Sequence, residues 1–315
     1  MALPCAEHRL AHREQGMSFA TGLKTIVVAT GLDGRSDGAL EYARKLATAY
    51  NARLVLAHGL DPVDYASVSG VPGKVLSGLT EQARSALDAM AAALVREGIH
   101  SHSEIRQGEV AQMLADVAEQ YEAGLIVIGT EGKEGAGPVL VGSVAEQVVR
   151  LAKCAVLAVA ADYNAGAYRP VPGGPVMLAM DLNEATPEAV ATACSLAETF
   201  RRTLIVMHAR RPEEAIAFLN PAATRLEQFG IVNENRFPVR YIVKDGKPGD
   251  ALAESIAQYH PSVLVLGVKR TSESSGPHGT AFTILARSRV PVLCVPPLTA
   301  RKERDFEASA HVPAL

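Results

Sequence analysis

The sequence predicts an α/β protein with two tandem domains, each built on a doubly wound, five-stranded parallel sheet. Short apolar runs such as Thr25 to Thr30 lack polar alternation, which is typical of strands covered on both faces. Segments with apolar residues at helical spacing separate these runs. The same alternation occurs twice in 315 residues, a length that suits two domains of about 150 residues each.

Five strands and four helices are predicted in the first half. The strands are Thr25 to Thr30, Ala52 to His58, His100 to Arg106, Leu125 to Ile128 and Cys154 to Ala160. The helices are Ser36 to Tyr50, Thr80 to Arg96, Val110 to Tyr121 and Ser143 to Leu151. We expect Gly59 to Gly73, which is rich in Gly, Pro and Ser, to form a loop. Gly98 is expected to end the second helix, because glycine accepts the conformation found at helix ends.

The second half of the chain repeats the first. Val176 to Asp181 matches the first strand and Leu204 to His208 matches the second, so that His208 takes the position of His58. Val263 to Gly267 and Pro291 to Val295 match the fourth and fifth strands after an intervening deletion. Two ladders of matching strands indicate a duplication.

The duplication sets the expected domain boundaries. We expect a disordered leader at 1–21, a first domain at 22–160, a linker at 161–174, a second domain at 175–297 and a tail at 298–315. The fifth strand of each half would lie at the edge of its sheet. Because exposed apolar edges pair readily, the two halves are expected to form an intrachain pseudo-dimer, and a homodimer of the chain is also compatible with the sequence.

The composition excludes several classes of partner. The net charge is −3, the chain has no long Lys/Arg run and it has no Trp, which argues against nucleic acid and anionic membranes. No apolar run approaches the roughly 20 residues that a membrane span requires. The four cysteines form no metal-binding spacing and are expected to be free thiols in a reducing cytoplasm: Cys5, Cys154, Cys194 and Cys294.

One stretch carries the candidate chemistry. Gly129 to Ser143 is rich in glycine and lies between the fourth strand and a helix. Glycines let a backbone approach an anion closely, and the first N–H groups of a helix supply donors and a positive dipole end. The order of strand, glycine loop and helix therefore predicts a nucleotide phosphate site. The P-loop and G-x-G-x-x-G patterns are both absent.

Sheet topology predicts where this site lies. Ligands of doubly wound sheets bind beyond the carboxyl ends of the strands, where the strand order reverses. If the first and fourth strands are neighbours, the turns after Thr30 and after Ile128 face each other across one crevice. No acid/base or nucleophile motif accompanies it. His58 and His208, at the ends of equivalent strands, are interpreted as packing or hydrogen-bonding residues rather than catalysts.

The spacing G-x2-G-x9-G-S, met at Gly129, Gly132, Gly142 and Ser143, resembles the ATP-binding signature of the universal stress protein (UspA-like) family in its tandem, two-domain form. The resemblance covers 22–160 well and 174–297 more loosely. It implies strand order 3-2-1-4-5 in each domain, within an adenine nucleotide alpha hydrolase-like fold. It also implies ATP as the ligand, with or without Mg²⁺.

Carried over residue by residue, the resemblance assigns parts of one ATP site to the first half. The residues concerned are Thr30, Gly31 and Gly59 at the adenine end, and Ile128, Gly129, Gly132, Gly142, Ser143 and Val144 along the ribose and phosphates. The family has an adenine-contacting aspartate where this chain has Gly31. Asp33 is interpreted either as the N-cap of the next helix or as a residue that reaches the crevice, with the N-cap favoured.

The second half departs from the pattern at the other end of the site. Asp181 stands where the family has its aspartate, and Gly267 opens a loop in which Arg270 replaces a glycine. Gly279 and Thr280 follow one residue too early. A side chain at a position of close approach fills the space a phosphate would take. The second site is therefore expected to be degraded.

The leading hypothesis is a cytoplasmic stress-response module that binds adenine nucleotide in its first domain and hydrolyses ATP slowly at most. It would not be an enzyme in the ordinary sense. One alternative is an interaction or scaffold protein of the same fold that has lost nucleotide binding, a reading favoured by Gly31. A further alternative is an adenylyl-transfer enzyme, although the chain lacks an S-G-G-x-D-S pyrophosphate loop.

Overall fold

The structure, a computed structural model, describes most of both halves of the chain. The described residues are 23–34, 36–60, 73–130, 143–160, 173–180, 187–209, 237–268, 284–285, 288 and 290–297. Every statement about the architecture refers to these residues. Gly132, Gly142, Asp181, Gly279 and Thr280 lie outside them.

The first half alternates strands and helices. Its strands are β1 (Thr25–Ala29), β2 (Arg53–Leu60), β3 (Ser101–Gln107), β4 (Leu125–Gly129) and β5 (Ala155–Val159). Its helices are α1 (Asp37–Tyr50), α2 (Gly73–Arg96), α3 (Val110–Gln120) and α4 (Ser143–Leu151). Gly98 has φ 87° and ends α2, as expected. The N–H of Ile99 donates to the carbonyl of Leu94 there, which satisfies a helix-end acceptor.

The second half repeats this order. Its strands are β6 (Val176–Ala179), β7 (Leu204–Ala209), β8 (Val239–Lys244), β9 (Val263–Gly267) and β10 (Val292–Val295). Its helices are α5 (Pro187–Thr199) and α6 (Pro248–Tyr259). The segments β8 and α6 were not assigned from the sequence individually. The expected deletion falls in a stretch that includes 210–236, which lies outside the described residues.

All ten strands belong to one sheet, in the order β3-β2-β1-β4-β5-β10-β9-β6-β7-β8. Within each half the strands are parallel, and each half has the order 3-2-1-4-5 that the resemblance implies. The chain winds outward from β1 in one direction and returns to β4 on its other side. This topology confirms the predicted neighbours β1 and β4, which pair from Ile26 and Leu125 onward.

The two halves join through β5 and β10, which pair antiparallel. Leu157 faces Leu293, its own equivalent, while Val156 faces Cys294 and Ala158 faces Val292. The pairing is therefore symmetric about the central pair Leu157–Leu293, which is the geometry of an isologous, two-fold interface. The expected intrachain pseudo-dimer is therefore present in the sheet.

Helices reinforce the join between the halves. Tyr50 ends α1, and its ring packs edge to face against Phe200, which follows α5, with centroids 6.5 Å apart. The Tyr50 hydroxyl lies 3.3 Å from Ser195 Oγ in α5. Burial raises the pKa of Tyr50. These contacts link a helix of each half across the same pseudo-symmetry axis.

Helices cover the sheet on both faces, which explains the uninterrupted apolar strands. Buried residues of α1, α2 and α5 form a core on one face. Buried residues of α3, α4 and α6 form a second core on the other face. The central strand residues Ile26, Val27 and Val28 have no exposed surface. Apolar burial on both sides of a parallel sheet is the main stabilising contribution in such a fold.

Two expectations about local structure were wrong. The loop expected to begin at Gly59 does not begin there, because β2 continues through Gly59 and Leu60, which pair with Arg106 and Gln107 of β3. Asp33 is not the N-cap of the following helix, since α1 begins at Asp37 and Ser36 precedes it. Local propensity could not predict the end of β2, because this end depends on pairing with a distant strand.

Candidate functional site

The candidate site lies at the carboxyl ends of β1 and β4, and Thr30 organises the β1 side. Thr30 is 7% exposed and its N–H donates to the Ala57 carbonyl, extending the strand ladder by one residue. Its hydroxyl accepts hydrogen bonds from the Leu32 N–H at 3.2 Å and from the Ser36 hydroxyl at 3.1 Å. The Thr30 side chain therefore holds the turn in place.

The turn after Thr30 uses its own N–H groups internally. The Gly31 N–H donates to Ser36 Oγ at 3.3 Å, and the Leu32 N–H is bound to Thr30. Leu32 has φ 60° and Gly34 has φ 80°. A left-handed leucine is strained, and such strain persists where the surrounding structure fixes it. The first two N–H groups of the β1 turn are thus already engaged by hydroxyls of the same turn.

Gly31 and Asp33 fit together in this turn. A Cβ placed on Gly31 would lie 3.0 Å from Asp33 Oδ1 and 3.3 Å from its Cγ. The Asp33 carboxylate therefore lies against the bare Cα of Gly31. Asp33 is exposed at the strand end, and Ser36, not Asp33, occupies the N-cap position of α1. A carboxylate is thereby present next to position 31, although the residue at 31 has no side chain.

The β4 side of the site consists largely of backbone. Ile128 is 5% exposed and belongs to the core, so only its backbone faces the strand end. Gly129 is the last residue of β4, and the following Thr130 N–H donates to the Val159 carbonyl at 3.0 Å. Thr130 is 5% exposed and was not identified from the sequence.

Helix α4 begins at Ser143, on the carboxyl side of the sheet, because it connects the parallel strands β4 and β5. The first four N–H groups of a helix have no partner within it. Val144 is partly buried against the adjacent core. Glu146 lies in the first turn and pairs with Arg150 at 2.9 Å, which offsets its negative charge near the helix end.

Gly59 has a packing reason to be glycine. A Cβ at this position would lie 2.9 Å from both Met113 Cε and Val110 Cγ2 of α3. The bare Cα therefore lets α3 approach the sheet closely. A role for the Gly59 backbone at the adenine end stays a prediction.

The equivalent histidines His58 and His208 make the same contact. His58 Nδ1 lies 2.8 Å from the Thr30 carbonyl oxygen, and His208 Nδ1 lies 2.7 Å from that of Met180. Each ties the second strand of its half to the residue after the first strand. This confirms the interpretation of both as hydrogen-bonding residues.

The carboxyl ends of β6 and β9 in the second half repeat the strand extensions seen in the first half. The Met180 N–H donates to the Met207 carbonyl, and the Val268 N–H donates to that of Val295. Where the first half has the buried Thr30 and Thr130, the second has the apolar Met180 and Val268. Gly267 ends β9 and pairs with Val295. The carboxyl ends of the equivalent strands thus differ chemically in the two halves, although the folds match.

Other functional classes find no support among the described residues. No group of three or more His, Cys, Asp or Glu side chains is arranged to hold a metal ion in those parts of the chain. No helix there is long and apolar enough to cross a membrane. The described cysteines are free, and burial raises the pKa of the Cys194 and Cys294 thiols to about 12.

The fold and the ends of its strands define a class: tandem doubly wound α/β domains whose sheets join through β5 and β10, with the strand order reversing between β1 and β4 in the first domain. The sequence model of one family, the universal stress protein family, matches 22–160 and 174–296. The chain therefore belongs to the universal stress protein family, in a form with two such domains in tandem.

One relative and two solved structures illustrate what the chain is similar to. A universal stress protein of Methanocaldococcus jannaschii is 32% identical over 141 residues, which is 43% of this chain and 81% of the relative. The solved structure of a universal stress protein from Archaeoglobus fulgidus has a TM-score of 0.69 and 17% identity, covering 87% of this chain and 98% of that one. Another universal stress protein, solved in complex with cAMP, has a TM-score of 0.34 and 24% identity, covering 44% and 98% respectively.

Proposed function

We propose that the first domain binds one adenine nucleotide, with ATP as the expected ligand, across the carboxyl ends of β1 and β4. The observation that carries this proposal is the pairing of β1 with β4 at the point where the strand order reverses. The glycine-rich 129–142 segment follows β4 and leads directly into α4. Strand, glycines and helix start are the elements that a phosphate group requires.

The hydrogen bonds of the two turns support one orientation of the nucleotide. The N–H groups of Gly31 and Leu32 are engaged by hydroxyls within the β1 turn. Phosphate binding by backbone donors is therefore assigned to the β4 side, where the first N–H groups of α4 have no partner within the helix. We accordingly assign the phosphates to the β4 side and the nucleoside to the β1 side.

A regulatory role suits this site better than rapid catalysis. Fast phosphoryl transfer requires charged groups or metal ions placed around the transferred phosphate. The described residues around the β1 and β4 ends contribute mainly hydroxyls, backbone and apolar side chains, together with the exposed carboxylate of Asp33. We therefore propose a stress-response module whose nucleotide state is read by a partner, with slow hydrolysis at most. The buried free thiols are compatible with a cytoplasmic location.

Retained ligand gives the first test of this function. The protein is purified without added nucleotide, denatured, and the released small molecules are identified by mass spectrometry. We expect adenine nucleotide, together with a rise in Tm when ATP is added with or without Mg²⁺, because a ligand of the native state stabilises it. The absence of both would contradict nucleotide binding.

A second candidate function is an interaction module that binds no nucleotide. The specific observation in its favour is Gly31, which leaves the strand end without the side chain that the family resemblance implies. The same assay separates the two functions. No retained nucleotide and no ATP-dependent shift in Tm is the result that the interaction module predicts.

A further inference from the structure

The duplicated histidines share one contact but differ in their exposure. In both halves Nδ1 lies within 2.8 Å of a carbonyl oxygen. A carbonyl can only accept, so Nδ1 carries the proton in each ring. A neutral ring protonated at Nδ1 has its lone pair on Nε2, which makes that second nitrogen a hydrogen-bond acceptor.

His208 is 5% exposed, whereas His58 is only partly buried. Within the part of the chain that the structure describes, His58 Nε2 has no hydrogen-bond partner, since its ring bonds only through Nδ1. The bond to the Thr30 carbonyl fixes the ring at the β1 strand end. Nε2 is on the far side of the ring from Nδ1, and so it is directed away from that carbonyl.

We propose that His58 is a ligand-positioning residue, whose Nε2 accepts a hydrogen bond from the nucleoside part of the bound nucleotide. This inference rests on the proposed function and adds to it a residue, an atom and a direction of hydrogen bonding. The matching donors on an adenine nucleoside are the exocyclic amino group of the base and the ribose hydroxyls. His208, enclosed beside Met180, is a structural copy without this role.

The role of His58 follows from the proposed orientation of the nucleotide, with the nucleoside on the β1 side. The N–H groups of Gly31 and Leu32 are engaged within the β1 turn, so these two groups are not offered to a ligand as donors. An acceptor fixed at the end of β2 complements the amino and hydroxyl donors of the nucleoside, and not the phosphate oxygens, which accept. The tautomer imposed by Thr30 thus gives His58 a defined preference.

Two variants separate the two ring nitrogens. In His58→Asn, the amide nitrogen takes the position of Nδ1 and keeps the bond to Thr30, while the acceptor at Nε2 is lost. His208→Asn makes the same change in the other half and is the matched control. In His58→Gln, the reverse occurs, because the amide oxygen can accept at the position of Nε2 and the bond to Thr30 is lost.

Isothermal titration with ATP measures the effect. We expect His58→Asn to weaken binding about fivefold, the typical net effect of one hydrogen bond, and His208→Asn to leave it unchanged. His58→Gln should bind more tightly than His58→Asn but unfold at a lower temperature. Titrations with ITP, 2′-deoxy-ATP and 3′-deoxy-ATP identify the nucleoside group that donates to His58. Wild type and His58→Asn should bind the analogue that lacks this donor with equal affinity.

A spectroscopic measurement does not depend on affinity. In protein labelled with ¹⁵N-histidine, the Nε2 resonance of His58 should shift when ATP saturates the site, while that of His208 should not. Three results would overturn the inference and leave the nucleotide site intact. Wild type and His58→Asn could bind ATP with equal affinity, or His208→Asn could lose as much affinity as His58→Asn. The third result is that His58→Asn binds ATP and every analogue more weakly than wild type by the same factor. Failure of wild type to bind ATP would overturn the proposed function, and this inference with it.

Discussion

At the scale of single residues, several positions are fixed by close contacts that the sequence does not show. Gly174 lies just before β6, and a Cβ there would come 2.4 Å from the His260 carbonyl oxygen and 3.0 Å from the Ser262 nitrogen. The Ser262 N–H also donates to the Pro175 carbonyl at 2.8 Å. The backbone at Gly174 therefore packs directly against the turn before β9.

Gly174→Ala is expected to lower the free energy of unfolding by about 1–3 kcal/mol, because the backbone atoms it meets cannot move aside easily. The control is Gly78→Ala, an exposed position of α2 where a new Cβ meets nothing within 4 Å. Alanine should stabilise that helix by up to about 1 kcal/mol. Urea unfolding measures both variants, and equal stabilities would contradict the close contact.

The buried thiols predict a loss of stability in alkali. Burial raises the pKa of Cys294, which has no exposed surface, from 9.0 to about 12. Between these values the unfolded chain releases the proton while the folded chain retains it. The contribution of this thiol to stability is therefore complete below pH 9 and declines as the pH rises toward 12, by at most about 1.4 kcal/mol per pH unit.

The measurement is the urea-unfolding free energy at several pH values between about 8 and 10.5, for wild type and Cys294→Ala. The variant should lose stability less steeply, because one ionising group has been removed from its unfolded state. Comparing slopes cancels the constant effect of the smaller side chain. Parallel slopes would show that the Cys294 thiol is not protected in the folded protein.

At the scale of secondary-structure elements, β5 and β10 determine how the halves associate. Their pairing around Leu157 and Leu293 is symmetric, so each half carries an edge that matches both itself and the other half. We expect separately produced fragments 22–172 and 173–315 to associate when co-expressed. Fragment 22–172 alone should dimerise through β5.

Light scattering after size exclusion measures both associations. Leu157→Lys, at a position 1% exposed, should abolish them because it places a charge in the join. Val95→Lys is the control, since Val95 is 53% exposed on α2. Monomeric fragments that remain folded, or fragments indifferent to Leu157→Lys, would contradict the symmetric join.

The same scale shows what the sequence could predict. Apolar strand runs and helical spacing placed most elements of the first half within a few residues, since strands buried on both faces leave a clear pattern. The start of α2 was missed, because the helix begins at Gly73, inside the expected loop, and not at Thr80. The end of β2 was missed because it depends on its pairing with Gln107 of β3. The Ser36 and Thr30 hydroxyl network was missed because no local pattern states which turn groups meet.

At the scale of the whole molecule, duplication preserved the fold while the two strand edges diverged. The topology and the histidine contacts recur in both halves. The polar turn residue Thr30 is replaced by Met180, and Thr130 by Val268. The sequence reveals this asymmetry through the altered glycines of the second half, and the structure adds a second, independent difference at the strand ends.

We therefore expect each chain to bind one nucleotide, in the first domain. Isothermal titration with ATP gives this number directly, using wild type, Gly142→Val and the equivalent Gly279→Val. We expect one equivalent of ATP for wild type and for Gly279→Val, and none for Gly142→Val, because a side chain at 142 fills the space of a phosphate. Binding of no ATP or of two equivalents by wild type, or binding unaffected by Gly142→Val, would contradict this expectation.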